Sequence, residues 1–114
     1  MVTLYGIHNC DTVKKARRWL EQQDIEYRFH DFRKDGLDAA LLGQWCNTLG
    51  WETLLNKRGT TWRQQPDAVK DNLSAANVEA LLLTHPAMIK RPVLVTDTGV
   101  KVGFKPDDYA ASLL

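Results

Sequence analysis

The sequence predicts an α/β fold: a mixed four-stranded sheet in the order βαβ…ββα, interrupted by an all-helical insertion at about 36–86. Three observations carry this. Near the start, a helix-periodic stretch separates two short strand-like runs. The middle of the chain shows helical periodicity only. The last third returns to two apolar, β-branched runs joined by a tight polar turn and closed by a helix. The 114 residues suffice for one core, so a single domain spanning 1–114 is expected.

Val2 to Tyr5 reads as the first strand and Gly6 to Asn9 as a loop. Asp11 to Gln23 reads as a helix, with Val13, Ala16, Arg17 and Leu20 on one face and Lys14, Lys15 and Arg18 on the other. Asp11 and Thr12 suit its first turn, and Asp24 ends it. Ile25 to Phe32 is the second strand. A helix between two strands makes them parallel neighbours with a right-handed crossover. Asp38 to Leu49 is helical, with Leu42, Trp45, Cys46 and Leu49 at i, i+3, i+4, i+7, and Gly50 fits the position after it. A short helix over Trp51 to Leu55 and a loop over Asn56 to Thr61 follow. Trp62 to Asp71 forms helical turns broken at Pro66. Ser74 caps a helix to His85, with Val78, Leu81, Leu82 and His85 on one stripe, and Pro86 stops it.

Pro92 to Val95 and Val100 to Phe104 read as strands around the turn Asp97-Thr98-Gly99, an antiparallel hairpin. Pro106 suits the first turn of a closing helix through Leu114. This order, with a cysteine at the first strand–helix junction, is the thioredoxin-like arrangement.

Composition narrows the function classes. Hydrophobic content is 44%, charged content 25% and net charge +1. Near-neutral charge argues against broad binding to nucleic acid or membrane. No apolar run approaches the ~18 residues of a membrane span. No basic segment precedes an apolar stretch at the start, so a cytoplasmic protein is expected. The two cysteines, Cys10 and Cys46, show no metal-ligand spacing with histidines, and no metal is expected.

Cys10 is the most informative residue. A thiol at a helix N-terminus meets unpaired backbone N–H groups and the positive end of the helix dipole. Cysteines so placed shift from about 8.5 to roughly 3.5–7.5 in pKa, which favours a thiolate nucleophile at neutral pH. Asn9 and Thr12 flank it and can donate hydrogen bonds to the sulfur or to a bound anion; loop and cap roles serve them equally well. Cys46, on the apolar face of its helix, reads as a buried structural thiol. His8 reads as a solvated loop residue, and His30 and His85 as structural. The run Lys14-Lys15-Ala16-Arg17-Arg18 reads mainly as a solvated face that raises the potential for an anionic substrate.

Four segments carry a family resemblance. They are Gly6-Ile7-His8-Asn9-Cys10-Asp11-Thr12-Val13-Lys14-Lys15-Ala16; Leu54-Leu55-Asn56-Lys57-Arg58-Gly59-Thr60-Thr61-Trp62; His85-Pro86 followed by Ile89-Lys90-Arg91-Pro92-Val93-Leu94-Val95; and Gly99-Val100 through Lys105-Pro106. In this order they resemble the arsenate reductase (ArsC) / Spx-like family of thioredoxin-fold proteins, closest to its YffB-type branch. The resemblance implies that Cys10 is the catalytic cysteine and Arg91 the arginine before the family's proline. That proline, here Pro92, follows a cis peptide bond beside the cysteine. Arg58 falls where arsenate reductases keep a second anion-binding arginine, with Lys57 as a further candidate. Two departures stand out. Lys105 replaces a third arginine and lacks its two-pronged hydrogen bonding. Val13 stands where the redox-switching Spx branch has the second cysteine of a Cys-x-x-Cys pair.

These readings converge on a thiol-dependent reductase that uses Cys10 alone. Glutathione serves as co-substrate, glutathione or glutaredoxin is the reductant, and a small oxyanion or a disulfide is the substrate. The competing reading is an Spx-like regulator that contacts RNA polymerase.

Overall fold

The structure is a computed structural model that describes residues Met1–Leu114. The chain divides into two compact units, Met1–Gly36 with Arg91–Leu114, and Leu37–Lys90. No helix is long and apolar enough to cross a membrane.

The first unit holds strands β1 (Val2–Gly6), β2 (Tyr27–Asp31), β3 (Val93–Thr96) and β4 (Gly99–Val102), with helices α1 (Asp11–Gln22) and, closing the chain, Pro106–Leu113. The sheet order is β2-β1-β3-β4. β1 and β2 run parallel, with Leu4 opposite Phe29 and Gly6 opposite Asp31. β1–β3 and β3–β4 are antiparallel, with Leu4 opposite Leu94 and Val93 opposite Val102. This is the mixed four-stranded sheet of the expected thioredoxin-like fold.

Strand limits are narrower than patterning suggests, for local reasons. Ile25 does not open β2: its N–H bonds back to the Leu20 carbonyl at 3.0 Å, and Asp24 adopts φ 54°. Both residues thus belong to the termination of α1. Pro92 precedes β3 rather than starting it, because it has no N–H for the ladder. β4 stops at Val102 because Gly103 turns to φ 83° and donates its N–H to the Pro92 carbonyl at 2.8 Å.

The core of this unit is Leu4, Ala16, Leu20, Leu94 and Tyr109, flanked by Trp19, Phe29 and Phe104. Tyr109 packs edge-on to Phe104 and Trp19, with ring centroids 4.9 Å and 5.8 Å away. Its buried hydroxyl donates to the Gly103 carbonyl at 2.8 Å, and burial pushes its pKa far up. Val13, Ala16 and Leu20 are buried as expected, whereas Arg17 lies at the edge of that face. Its guanidinium sits 4.2 Å over the Phe29 ring and its Nε donates to the Tyr27 hydroxyl at 3.0 Å.

The second unit is helical: α2 (Ala39–Leu49), α3 (Trp51–Leu54), α4 (Thr60–Arg63), α5 (Asp67–Lys70) and α6 (Ala75–Thr84), then a 3-10 turn over Pro86–Met88. The closing helix Pro106–Leu113 of the first unit is therefore α7. Asp38 caps α2 by accepting from Leu41 N–H at 3.1 Å, and Gly50 takes φ 84° after it. The Asn77 side chain accepts from Ser74 N–H at 2.9 Å at the start of α6. Leu42, Trp45, Leu54, Leu55, Val78, Leu82, Met88 and Ile89 are buried. A bridge between Leu55 and Ile89, with Lys90 N–H to the Leu54 carbonyl at 2.7 Å, ties the end of this segment back to α3. An apolar groove of ≈ 400 Å³ opens beside α6, lined by residues including Val69, Leu73 and Leu81. Leu81 of the expected stripe is therefore half-buried at that groove rather than in the core.

Candidate functional site

β1 ends at Gly6, where a side chain has no room: a Cβ there would lie 2.7 Å from Val13 Cγ2. Ile7 is buried, and the chain then turns over His8 and Asn9, closed by Cys10 N–H to the Ile7 carbonyl at 3.2 Å. Cys10 is the N-cap of α1, with extended backbone at φ −94°, ψ 127°. Its carbonyl accepts the first helical bond, from Lys14 at 3.0 Å. Its side chain makes no capping bond and is half-buried. The thiol thus sits where the sequence puts it, at the positive end of a twelve-residue helix.

The sheet brings distant residues to the same end. Tyr5 pairs with Val93, so one further antiparallel step sets Pro92 opposite Gly6. The Arg91–Pro92 peptide is cis, as the resemblance implies. Pro92 is buried and Arg91 half-buried, with its Nε shielded from solvent. The Pro92–Gly103 hydrogen bond brings the end of β4 alongside, and Lys105 follows as the exposed N-cap of α7. Asn9, Cys10, Thr12, Arg91, Pro92 and Lys105 therefore gather where β1 and β4 end and β3 begins. Asn9 and Thr12 are exposed. Arg58 belongs to the second unit, exposed in the loop before α4, where its N–H bonds to Asn56 Oδ1 at 3.0 Å. Lys57 beside it lies 5.6 Å from the Trp62 ring centre.

Asp31, at the end of β2, is a residue that sequence reasoning missed. Its side chain is 3% exposed, yet its carboxylate accepts from both its own turn and the Cys10 turn. Oδ1 takes the N–H groups of Arg33 at 2.8 Å and Lys34 at 3.3 Å. Oδ2 takes His8 N–H at 3.2 Å and the His8 ring Nδ1 at 3.0 Å. Burial alone would raise the Asp31 pKa; the bonds from Arg33, the His8 ring, His8 N–H and Lys34 outweigh it and hold the carboxyl at about 2. The available signal was an aspartate at the end of an alternating strand, between Phe29 and Phe32, a position where strands disfavour Asp.

His8 is therefore not simply a solvated loop histidine. Its side chain is 55% exposed, but its Nδ1 is committed to Asp31. His30 closes its own turn, Nε2 lying 2.7 Å from the Gly36 carbonyl, and packs its ring against Tyr5. Cys46 is half-buried on α2 rather than buried; burial and the nearby Glu79 carboxylate push its thiol pKa up, which holds it protonated. No group of three His, Cys, Asp or Glu side chains is arranged to hold a metal ion.

Comparison with known proteins agrees with this architecture. The family model described as "ArsC family" matches residues 5–112. A solved structure of the YFFB (PA3664) protein is 48% identical, superposes with a TM-score of 0.96, and covers 100% of both chains. An arsenate reductase (ArsC) related protein from Brucella melitensis is 54% identical with a TM-score of 0.79, over 96% of this chain and 92% of that one. The global transcriptional regulator Spx of Streptococcus mutans is 28% identical over 99% of this chain and 83% of its own length.

Proposed function

Because this chain belongs to the ArsC family, we propose that it is a glutathione-dependent thiol reductase that works through Cys10 alone. The observation that carries this is the placement of Cys10: an N-cap thiol with no capping duty, at the sheet end that also holds Arg91, Pro92 and Lys105.

The Cys10 thiolate attacks one sulfur of a mixed disulfide between substrate and glutathione. A Cys10–glutathione S–S bond forms, the original S–S bond breaks, and the substrate sulfur leaves as a thiolate that takes a proton from water. A second glutathione thiolate then attacks the Cys10-bound glutathionyl sulfur. Glutathione disulfide is released and the Cys10 thiolate returns. The net change converts the mixed disulfide and one glutathione thiolate into the substrate thiolate and glutathione disulfide, so the substrate sulfur is reduced as that one glutathione sulfur is oxidised. Val13 is fully buried and carries no thiol, so no sulfur three residues away competes with glutathione for the intermediate. Arg91 supplies a fixed positive charge at this end and matches a carboxylate of glutathione or an oxyanion bidentately. Asn9, Thr12 and Lys105 offer further donors at the same end. An arsenate substrate would instead be attacked at arsenic, its two-electron reduction oxidising two glutathione thiols to the disulfide and releasing water; Lys105 in place of an arginine leaves the oxyanion cradle with one fewer planar donor.

Intact mass after brief exposure to oxidised glutathione tests this reading. One glutathionyl adduct is expected on the wild type and none on Cys10→Ser; an adduct that persists in Cys10→Ser overturns it. An arsenate-reduction assay on the same sample separates the two substrate classes. The similarity to Spx supports a second reading, a regulator that contacts RNA polymerase. Copurification with RNA polymerase that survives Cys10→Ala would favour it.

A further inference from the structure

The Asp31–His8 pair joins two loops that the proposed exchange chemistry leaves unexplained. Asp31 ends β2, and His8 sits 23 residues earlier in the turn that delivers Cys10. That turn is short: Ile7 to Cys10, closed by one hydrogen bond, with Cys10 immediately becoming the helix cap. His8 and Cys10 are two residues apart, so their Cα atoms lie within about 7 Å. One carboxylate oxygen grips this turn twice, through the His8 backbone and through its ring. The other oxygen grips Arg33 and Lys34. The Asp31 backbone N–H in turn donates to the Asp35 carboxylate at 3.0 Å, which fixes the far side of the same turn. Each of the four donors would lose its partner if Asp31 were absent.

We propose that Asp31 is a positioning residue for the Cys10 nucleophile, acting through His8: it holds the Ile7–Cys10 turn so that the sulfur faces the N-terminus of α1. This rests on the reading that Cys10 is the reacting thiol. An ionised carboxylate only accepts hydrogen bonds, so the His8 ring must carry its proton on Nδ1. The pair therefore has a spectroscopic signature of its own, separate from any effect on stability. A carboxylate fixed by its own surroundings and turned toward a ring that fixes a reactive loop is the supporting shell a pre-organised site needs.

The experiment compares wild type, Asp31→Asn and His8→Ala by residue-resolved alkylation with iodoacetamide, reading Cys10 and Cys46 in the same sample. Cys46 lies in the other unit and reports global loosening. In Asp31→Asn, Cys10 should alkylate about tenfold more slowly, with Cys46 unchanged. Imidazole nitrogen shifts of His8 should show the Nδ1-protonated ring in wild type and lose that preference in Asp31→Asn. A folded Asp31→Asn whose Cys10 rate stays within about twofold of wild type overturns the proposal, as does a wild-type His8 ring without Nδ1 protonation. Should Asp31→Asn fail to fold, His8→Ala decides: it removes one of the four bonds, and slower Cys10 alkylation with Cys46 unchanged supports the proposal, while an unchanged Cys10 rate overturns it. Iodoacetamide needs no glutathione. Wild type that alkylates at Cys10 but takes up no glutathionyl group therefore overturns the reductase reading and leaves this test intact.

Discussion

Asp31→Asn should cost this protein stability in a way that depends on pH. The Asp31 pKa falls from an ordinary 3.8 to about 2 in the folded chain. A carboxyl whose folded value is depressed adds stability above its unfolded value and loses it as pH falls through the folded value. At pH 7 the full displacement corresponds to about 2 kcal/mol. The side chain is almost wholly shielded from solvent, so screening does not reduce this. By pH 3 roughly half of that contribution should be gone, and near pH 2 most of it. Asparagine keeps the shape but puts an NH₂ where one carboxylate oxygen now accepts two donors, so about 1–3 kcal/mol of unsatisfied polar cost adds to the loss. Urea unfolding of wild type and variant at pH 7, 5, 4 and 3 measures both parts. The gap between the two proteins should be largest at pH 7 and shrink toward pH 3. A variant within about 0.5 kcal/mol of wild type at pH 7, or a gap that does not change with pH, would refute the reasoning.

Three other outcomes are expected. Gly6→Ala should destabilise by about 1–3 kcal/mol, because its Cβ would meet Val13 Cγ2 at 2.7 Å; the cost should shrink in a Val13→Ala background, read by a double-mutant cycle from urea unfolding. Tyr109→Phe should cost about 0.5–1.5 kcal/mol through the bond to the Gly103 carbonyl, and no loss in thermal unfolding would contradict that bond. Burial raises the pKa of Tyr5, Tyr27 and Tyr109 and so disfavours their ionisation in the folded chain. Phenolate in the unfolded chain therefore pulls the equilibrium toward unfolding above about pH 10; absorbance at 295 nm should rise together with loss of structure, and full tyrosine ionisation in a still-folded protein would contradict this.

Much of the fold was legible because its signals are local. The α1 pattern of Val13, Ala16 and Leu20, Asp38 before α2, Gly50 after it, Pro106 opening α7 and the Asp97–Gly99 turn each act within a few residues. Cys10 at the strand–helix junction was legible for the same reason, since capping depends on the next turn of backbone alone. Strand ends were less so. Ile25 looks like strand by side chain and is helix terminus by hydrogen bonding, because the Leu20 carbonyl needs a donor and Asp24 can turn through φ 54°. Arg17 counts as a helix-face residue by spacing, yet the aromatic ring of Phe29 decides where its guanidinium lies.

By itself, then, the sequence determined the βαβ and ββα frame, the inserted helices, and a lone thiol at a helix start with Val13 in place of a partner. Only the tertiary structure decided what surrounds that thiol. The pairing of β1 with β3 sets Pro92 opposite Gly6, and the pairing of β1 with β2 carries Asp31 to the Cys10 turn. The physical reason is the sign of a single energy. A carboxylate stripped of water is costly when alone and stable with four N–H donors around it. Those donors come from residues 23 positions apart as well as from neighbours, so no local pattern could show which of the two cases Asp31 would be.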